Sequence, residues 1–253
     1  MRQDERLSLI LEQLADNGSV AVTDIARQLD VSTASVRRDL QLLEEQHLLS
    51  RTHGGAIANT LLYELPLRYR GGRHKDDKRR IAAAAVSRIG DDVASVGLTG
   101  GTTTTEVARA LVDRDGLTIA TNALNIAAEL ALRPNLKLIV TGGTARSESY
   151  ELVGPLAEAT LAGLNLDLSF VGVDGISSTS GLTTHHEIEA QTNRALIVRS
   201  RRVIVVADGS KVGRLAFACI CDIHGIDELI TDASAEPGEI KLLEVAGVTV
   251  TTV

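Results

Sequence analysis

Apolar residues recur at helical spacing three times within the first fifty positions, and each run predicts a short helix. The runs place helices over about residues 4–16, 22–29 and 33–46. Asn17-Gly18 ends the first helix, and Ser32 stands at the N-cap position of the third. The second and third helices, with the tight turn between them, have the layout of a helix-turn-helix; the alternative is a plain three-helix bundle.

Short polar and basic side chains occupy the first turns of the third predicted helix. In a helix-turn-helix, these are the side chains that reach base edges and phosphates. Residues 47–57 then read as a strand, a Gly-Gly turn and a returning strand, which predicts a hairpin wing. The candidate DNA-binding residues are Ser32, Thr33, Ser35, Arg37, Arg38, Arg51, His53, Gly54 and Gly55.

The pattern of the larger C-terminal part differs, because aliphatic strand candidates alternate there with helical segments. A helix from about Asp77 comes first. The strand candidates are residues 93–98, 117–120, 136–140, 168–173, 203–207, 228–230 and 248–253. This alternation predicts an α/β fold with a mainly parallel sheet and helices on both faces.

Small, polar or charged residues follow five of these strands, and in a parallel sheet such positions meet at one edge, where ligands bind. Glycines let backbone amides approach an anion, hydroxyls donate to it, and a helix N-terminus favours negative charge. Lys211 would balance a phosphate, while Asp174 and Glu187 would bind hydroxyls. The candidate effector-binding residues are Thr99, Gly100, Gly101, Thr102, Thr103, Thr104, Thr121, Asn122, Gly142, Gly143, Asp174, Gly175, Glu187 and Lys211.

Residues 31–56, VSTASVRRDLQLLEEQHLLSRTHGGA, resemble the signature of the DeoR family of bacterial repressors. The resemblance continues over nearly the whole chain. It implies a winged helix-turn-helix followed by a sensor domain similar in fold to ribose-5-phosphate isomerases and glucosamine-6-phosphate deaminases. His47 departs from the family's usual Gly, and we expect it to adopt a left-handed conformation. Thr52 replaces a frequent Val, and Thr99 replaces the Asp that many members have before the Gly-Gly loop.

We expect three segments: a DNA-binding domain over residues 1–58, a linker over 59–75 and a phosphosugar-sensing domain over 76–253. The linker lacks sustained periodicity and is interrupted by Pro66 and Gly71-Gly72. It is either a solvated tether with some packing or a segment that transmits the sensor's state and contacts phosphates. Its basic residues are Arg68, Arg70, Arg73, His74 and Lys75.

Composition changes this picture in two respects. Hydrophobic residues make up 44% of the 253 residues but aromatic residues only 2%, so the core must be aliphatic. The net charge is −7, and residues 1–57 contain six Lys and Arg against nine Asp and Glu. DNA binding therefore depends on where the basic residues lie and not on bulk charge.

Other classes of protein and site are not expected. The N-terminus has no apolar segment typical of a signal peptide, and no run is long enough to span a membrane, which favours a cytoplasmic protein. Cys219 and Cys221 are expected to be reduced, half-buried thiols. His185 and His186 are adjacent and lack partner ligands, so a surface or pocket-lining role is favoured over a metal site. We expect no cofactor.

These observations favour a transcription repressor of a sugar-metabolism operon that binds double-stranded operator DNA as a homo-oligomer and responds to a phosphorylated sugar. The alternative is a sugar-phosphate isomerase or deaminase with an appended DNA-binding domain. The related isomerases carry two aspartates spaced as in D-G-A-D, whereas residues 174–177 read D-G-I-S and lack the second carboxylate. A purely structural DNA-binding protein would leave the polar strand ends unexplained.

Overall fold

The computed structural model describes residues 3–58, 66–70 and 74–253. Contacts along the backbone divide the chain into two compact units, residues 1–73 and 74–253. Most of the predicted linker, including residues 59–65 and Arg73, lies outside the described residues. The domain limits at residues 58 and 76 therefore stay predictions.

The N-terminal unit combines short helices with a small antiparallel sheet. Its helices are α1 (Gln3–Asn17), α2 (Val22–Gln28), α3 (Thr33–Glu45) and α4 (Leu67–Arg70). Its strands are β1 (Ser19–Ala21), β2 (Leu49–Arg51) and β3 (Gly55–Ala58), paired in the order β1-β3-β2. The three predicted helices and the hairpin are confirmed, whereas β1 and α4 were not predicted.

Both ends of α3 follow from local sequence. The Ser32 hydroxyl accepts a hydrogen bond from the Ser35 amide at 3.1 Å and so caps the first turn. Beyond the helix end, His47 has φ of 59°, the left-handed conformation expected for it. This residue turns the chain from α3 into β2.

Part of the predicted linker is packed rather than solvated. Tyr69 of α4 is buried in the apolar cluster that also holds Leu7 and Leu11 of α1. Its hydroxyl donates a hydrogen bond to Gln46 Oε1 at 2.5 Å. Residues 66–70 therefore belong to the N-terminal unit.

The C-terminal unit is built on a seven-stranded parallel sheet. Its helices are α5 (Lys75–Val86), α6 (Thr102–Ala110), α7 (Leu124–Leu130), α8 (Pro155–Ala162), α9 (Glu187–Val198) and α10 (Pro237–Val245). Its strands are β4 (Ser95–Leu98), β5 (Thr118–Thr121), β6 (Lys137–Val140), β7 (Thr144–Ala145), β8 (Leu152–Val153), β9 (Leu168–Val171), β10 (Gly175–Ser177), β11 (Gly181–Thr184), β12 (Val203–Val206), β13 (Ala218–Cys221), β14 (Glu228–Thr231) and β15 (Thr249–Thr252). The parallel sheet has the order β15-β14-β12-β9-β4-β5-β6, so all seven predicted strands and the α/β fold class are confirmed.

Apolar side chains cover both faces of this sheet. In β12, Val203 and Val205 belong to one buried apolar cluster, whereas Ile204 and Val206 belong to another. Because successive side chains of a strand point to opposite faces, the two clusters lie on opposite sides of the sheet. The aliphatic composition of the chain supplies this doubly covered core.

A second, antiparallel sheet of strands β10, β11 and β13 was not predicted. Its strands are only three or four residues long, and β10 and β11 each begin with Gly, which is depleted in strands, so their strand signal is weak. Cys219 and Cys221 lie on β13 as free thiols; Cys219 is exposed, not half-buried as expected. Burial raises the pKa of the Cys221 thiol to about 11, so this group is a neutral thiol at neutral pH.

The ion pair between Arg6 and Asp39 ties α1 to α3. Asp39 is fully buried, and the Arg6 guanidinium donates to both of its carboxylate oxygens, with Nη2 2.9 Å from Oδ1. We expect Arg6→Ala to lower the free energy of unfolding of the N-terminal unit by about 3 kcal/mol, because it leaves a buried carboxylate unpaired. Hydrogen exchange of α3 amides in the full chain, followed by mass spectrometry across a urea series, measures this change.

Arg27→Ala is the matched control. Arg27 pairs with Asp24 at 3.7 Å, and both side chains are largely exposed. Its loss should cost less than about 0.5 kcal/mol. Equal protection of α3 in the two variants would contradict the stabilising role of the Arg6–Asp39 pair.

Candidate functional site

The N-terminal half of α3 presents a polar and basic surface. Ser32, Thr33, Arg37 and Arg38 are exposed, and Ser35 is half-buried. Within the described residues, neither arginine forms an ion pair or a side-chain hydrogen bond. Both guanidinium groups are therefore available to an acceptor outside the chain.

The hairpin β2–β3 lies beside this helix. A cleft brings Arg37 of α3 together with Arg51, Thr52 and His53 of the hairpin. Arg51 is partly engaged, since its side chain lies 3.7 Å from Glu44. Helix α3 and the hairpin β2–β3 thus form one continuous surface, and His53 and Gly54 are exposed at the tip of the hairpin.

Gly55 differs from the other candidate DNA-binding residues. It is buried in β3, and a Cβ at this position would lie 1.8 Å from the carbonyl oxygen of Val20. The structure therefore gives Gly55 a packing role between β3 and β1, while Gly54, with open space around it, remains at the turn.

In the C-terminal unit, the parallel strands bring the predicted effector-binding loops to one edge. The carboxyl ends of β4, β5, β6, β9 and β12 all point the same way because each strand pairs parallel with its neighbours. The loops after these strands begin at Thr99, Asn122, Thr141, Gly172 and Ala207.

Several candidate residues hold these loops in place. Thr99 is fully buried; its hydroxyl accepts from the Gly172 amide at 2.9 Å and donates to the Gly100 carbonyl at 3.2 Å. Thr104 donates to the Gly101 carbonyl at 3.0 Å, and Thr121 donates to the Leu98 carbonyl at 2.8 Å. These hydroxyls shape the backbone around the site.

The start of α6 has free backbone and hydroxyl donors of the kind that bind anions in other proteins. The first amides of a helix have no acceptor within it, and the helix dipole favours negative charge there. Within the described part of the chain, the Thr102 and Thr103 hydroxyls make no hydrogen bond. Gly142 and Gly143 follow Thr141 in the loop after β6, and Gly142 is exposed.

Asp174 lies between the side chains of Lys211 and His185. Its Oδ1 is 3.6 Å from Lys211 Nζ and 3.9 Å from His185 Nε2. The Thr184 hydroxyl, at 3.0 Å from Asp174 Oδ2 and 3.3 Å from Glu189 Oε2, links Asp174 to Glu189. Asp174 and Lys211 are therefore brought together as the sequence predicts.

Glu187 does not join this group. Its side chain is 62% exposed and lies 3.7 Å from the ring of His186. Glu189, two residues further along α9, is buried instead, and its Oε1 lies 2.8 Å from Arg146 Nη1. In the described residues, no group of three or more His, Cys, Asp or Glu is arranged to hold a metal ion.

A further buried carboxyl belongs to Glu151. The Asn122 side-chain amide donates to Glu151 Oε2 at 3.2 Å and also lies 3.3 Å from Asn193 Oδ1. Burial, followed by the negative charges of Glu189 and Asp174, raises the pKa of Glu151 well above its usual value; hydrogen bonds from Asn122 and Asn193 act in the opposite direction. This carboxyl holds its proton to higher pH than an exposed glutamate does.

Sequence reasoning missed Arg146, Glu151, Glu189 and Asn193. One signal was present, because Glu189, Thr192, Asn193, Leu196 and Ile197 recur at helical spacing and are all buried. Polar residues in the first half of such a stripe indicate a helix end that lines a polar site. Arg146 and Glu151 lie around the short hairpin β7–β8, where no periodicity points to them.

Comparisons with known proteins cover both units. Residues 6–61 match the DeoR-like helix-turn-helix domain, and residues 73–233 match the DeoR C terminal sensor domain. The HTH-type transcriptional regulator GlpR of Haloferax volcanii is 37% identical over 97% of this chain and 96% of its own. The glycerol-3-phosphate regulon repressor of Escherichia coli K12 is 32% identical over the same shares.

Among solved structures, ribose 5-phosphate isomerase A of Methanocaldococcus jannaschii aligns with 55% of this chain and 54% of its own. The two share 19% sequence identity, and the TM-score is 0.41.

Gly100 provides a test of how tightly this site is packed. A Cβ here would lie 2.3 Å from Glu151 Oε1. We expect Gly100→Ala to lower the stability of the C-terminal unit by about 1–3 kcal/mol, because the loop or the carboxyl must move. Urea unfolding followed by circular dichroism measures the change.

Gly163→Ala is the control, since its Cβ would have only an ordinary contact at 3.5 Å with the Thr160 carbonyl oxygen. Its backbone φ of −82° suits alanine, so stability should stay equal or rise slightly. A Gly100→Ala variant as stable as this control would mean that the loop adapts without strain.

Proposed function

Because the chain belongs to the DeoR family of transcription regulators, we propose that it represses a sugar-metabolism operon and is controlled by a phosphorylated sugar. The N-terminal unit binds double-stranded operator DNA, and the C-terminal unit binds the effector. Two features in one chain carry the proposal. One is the surface of α3, whose Arg37 and Arg38 have no ion-pair partner among the described residues; the other is the polar edge of the parallel sheet.

Family membership decides between regulator and enzyme. The matched families and relatives are transcription regulators along nearly the whole chain, so the isomerase or deaminase alternative is set aside. Ser177, where a second carboxylate would stand, accepts a hydrogen bond from the Ser180 amide and supports the β10–β11 turn. No catalytic residue and no cofactor are proposed.

DNA reading uses the groups that α3 and the wing present. Arg37 and Arg38 bind guanine edges or phosphates, Thr33 and Ser35 bind phosphates or base edges, and His53 contacts the backbone or the minor groove. A homo-oligomer would place two recognition helices on repeated or palindromic half-sites.

The effector site uses the strand ends of the C-terminal unit. The start of α6 binds the phosphate group, Lys211 balances its charge, and Asp174 orients a hydroxyl. The name of the Escherichia coli relative refers to glycerol 3-phosphate, which supports a small phosphorylated polyol or sugar as effector. Such a ligand acts only through its different affinities for the two states of the repressor.

A regulator that binds chromosomal DNA works in the cytoplasm, and we propose this location. None of the helices that the structure describes is both long and apolar enough to cross a membrane.

Arg37→Ala tests the DNA surface. We expect operator affinity to fall by about 1–3 kcal/mol if Arg37 binds a base edge, because the guanidinium fork is lost. A gel-shift titration with an operator fragment at fixed salt gives the dissociation constant. Arg133→Ala removes the same charge from an exposed position in the C-terminal unit and should leave affinity unchanged. Unchanged affinity in both variants would refute the role of Arg37.

Thermal shift tests the effector. Glycerol 3-phosphate, glucose 6-phosphate and fructose 6-phosphate are compared with glycerol, glucose and fructose. A ligand that binds only the folded chain raises the melting temperature. We expect stabilisation by a phosphorylated compound and not by its free form. No stabilisation by any phosphorylated compound would contradict the effector class and leave the DNA-binding role standing.

Lys211→Ala should keep operator affinity and lose this stabilisation, because the charge opposite the phosphate is gone. Lys241→Ala, at an exposed position on α10, should behave as the wild type. A normal response in Lys211→Ala would place the phosphate elsewhere.

A further inference from the structure

Three carboxyl groups lie in the proposed effector site: Glu151 and Glu189 are buried, and Asp174 is half-buried. Two of the three face a cation. Arg146 lies 2.8 Å from Glu189, and Lys211 lies 3.6 Å from Asp174, which also faces His185. Within the described residues, the Glu151 carboxyl has amide partners, Asn122 and Asn193, and no cation within ion-pair distance. Its surroundings therefore favour the neutral, protonated form.

Glu151 lies against the loop that begins the anion site. Its Oε1 fills the space that a side chain on Gly100 would need. Gly100 directly precedes Gly101, the residue at which α6 is capped. A negative charge at this place would oppose a phosphate bound at the start of α6. A protonated carboxyl removes this repulsion and adds a hydrogen-bond donor that an ionised carboxylate lacks.

An unsatisfied acceptor lies on the partner of Glu151. Asn122 is fully buried, and its Oδ1 has no hydrogen-bond partner within the described chain. A buried polar atom without a partner costs about 1–3 kcal/mol, and a ligand that supplies the partner recovers this energy. A donor on Glu151 and an acceptor on Asn122 match the two needs of a hydroxyl group, which accepts one hydrogen bond and donates another.

We propose that Glu151 and Asn122 form a hydroxyl-reading subsite, which selects a phosphorylated polyol or sugar and rejects a phosphorylated acid. The inference rests on the proposed function, since it assigns a specificity to the same effector site. A hydroxyl of the effector, at the position where its acid partner carries the carboxylate, donates to Asn122 Oδ1 and accepts from the Glu151 carboxyl. A carboxylate in the hydroxyl's place would put a second anion beside Asp174 and Glu189, and it would have no proton to donate to Asn122.

The first test needs no ligand. A carboxyl with a raised pKa keeps in the folded state a proton that the unfolded chain has released. Stability therefore falls as pH rises from the unfolded pKa, about 4.3, through the folded pKa. We expect the wild type to lose stability relative to Glu151→Gln over this interval, because the amide cannot ionise. Glu244→Gln, an exposed position on α10, should track the wild type. Parallel curves of stability against pH for the wild type and Glu151→Gln would contradict the proposal that the Glu151 carboxyl is neutral.

The second test measures selectivity by isothermal titration calorimetry on the full chain. The probes are inorganic phosphate and two pairs: glycerol 3-phosphate with 3-phosphoglycerate, and glucose 6-phosphate with 6-phosphogluconate. The wild type should bind a polyol or sugar phosphate at least tenfold more tightly than its acid partner. Equal binding of the acid would overturn the subsite.

Two variants separate the donor from the size of the side chain. The affinity of the wild type for the polyol or sugar phosphate should decline at high pH, where Glu151 ionises. Glu151→Gln keeps a donor of the same size and cannot ionise, so it should keep the selectivity and lose this decline. Glu151→Leu lacks any donor and should lose about tenfold in affinity for the polyol or sugar phosphate while binding inorganic phosphate as the wild type does. Unchanged affinity in Glu151→Leu, or a wild-type pH profile in Glu151→Gln, would overturn this inference alone.

Failure of the proposed function has a different signature. It would appear as a wild-type chain that binds none of the four organic phosphates and no inorganic phosphate, and it would overturn the subsite together with the effector class.

Discussion

Parallel pairing of seven strands is the constraint on which the C-terminal unit depends. It requires apolar cover on both faces, which this chain provides with aliphatic side chains such as those of β12. It also directs every strand's carboxyl end to one edge. Thr99, Asn122, Asp174 and Lys211 are far apart in sequence, yet the backbone alone brings their loops together. The parallel strand pairing thus determines where these loops meet, whatever side chains they carry.

In the N-terminal unit, a similar division separates folding from recognition on one helix. Asp39 follows Arg37 and Arg38 directly, but its charge is neutralised by Arg6 from α1. Within the described part of the chain, the neighbouring arginines therefore have no ion-pair partner, and their guanidinium groups stay available to an acceptor outside the chain. Gly55 shows the same division in the hairpin, since it serves the contact with β1 while Gly54 forms the exposed turn.

The sequence was sufficient where a single local rule decides the outcome. Helical spacing located α1 to α3, aliphatic runs located the parallel strands, and His47 was expected in the left-handed region it adopts. It was insufficient where the outcome depends on distant partners. β10, β11 and β13 are short and pair with one another across positions as distant as Leu182 and Cys221, so no single segment shows the sheet. Glu187 and Glu189 could not be distinguished without the helix start at Glu187, which exposes the first and buries the second.

The buried phenol of Tyr69 has a spectroscopic consequence. The chain has three tyrosines and no tryptophan, so tyrosine dominates its near-ultraviolet absorption and emission. Tyr69 adjoins the segment that leads to the C-terminal unit, and its hydroxyl is bound to Gln46 immediately after α3. Tyr150 adjoins Glu151 in the proposed effector site, where the Tyr150 carbonyl accepts from the Leu124 amide. Two of the three tyrosines thus lie in different units, Tyr69 in the apolar core of the N-terminal unit and Tyr150 beside the proposed effector site, so each unit has an intrinsic optical label.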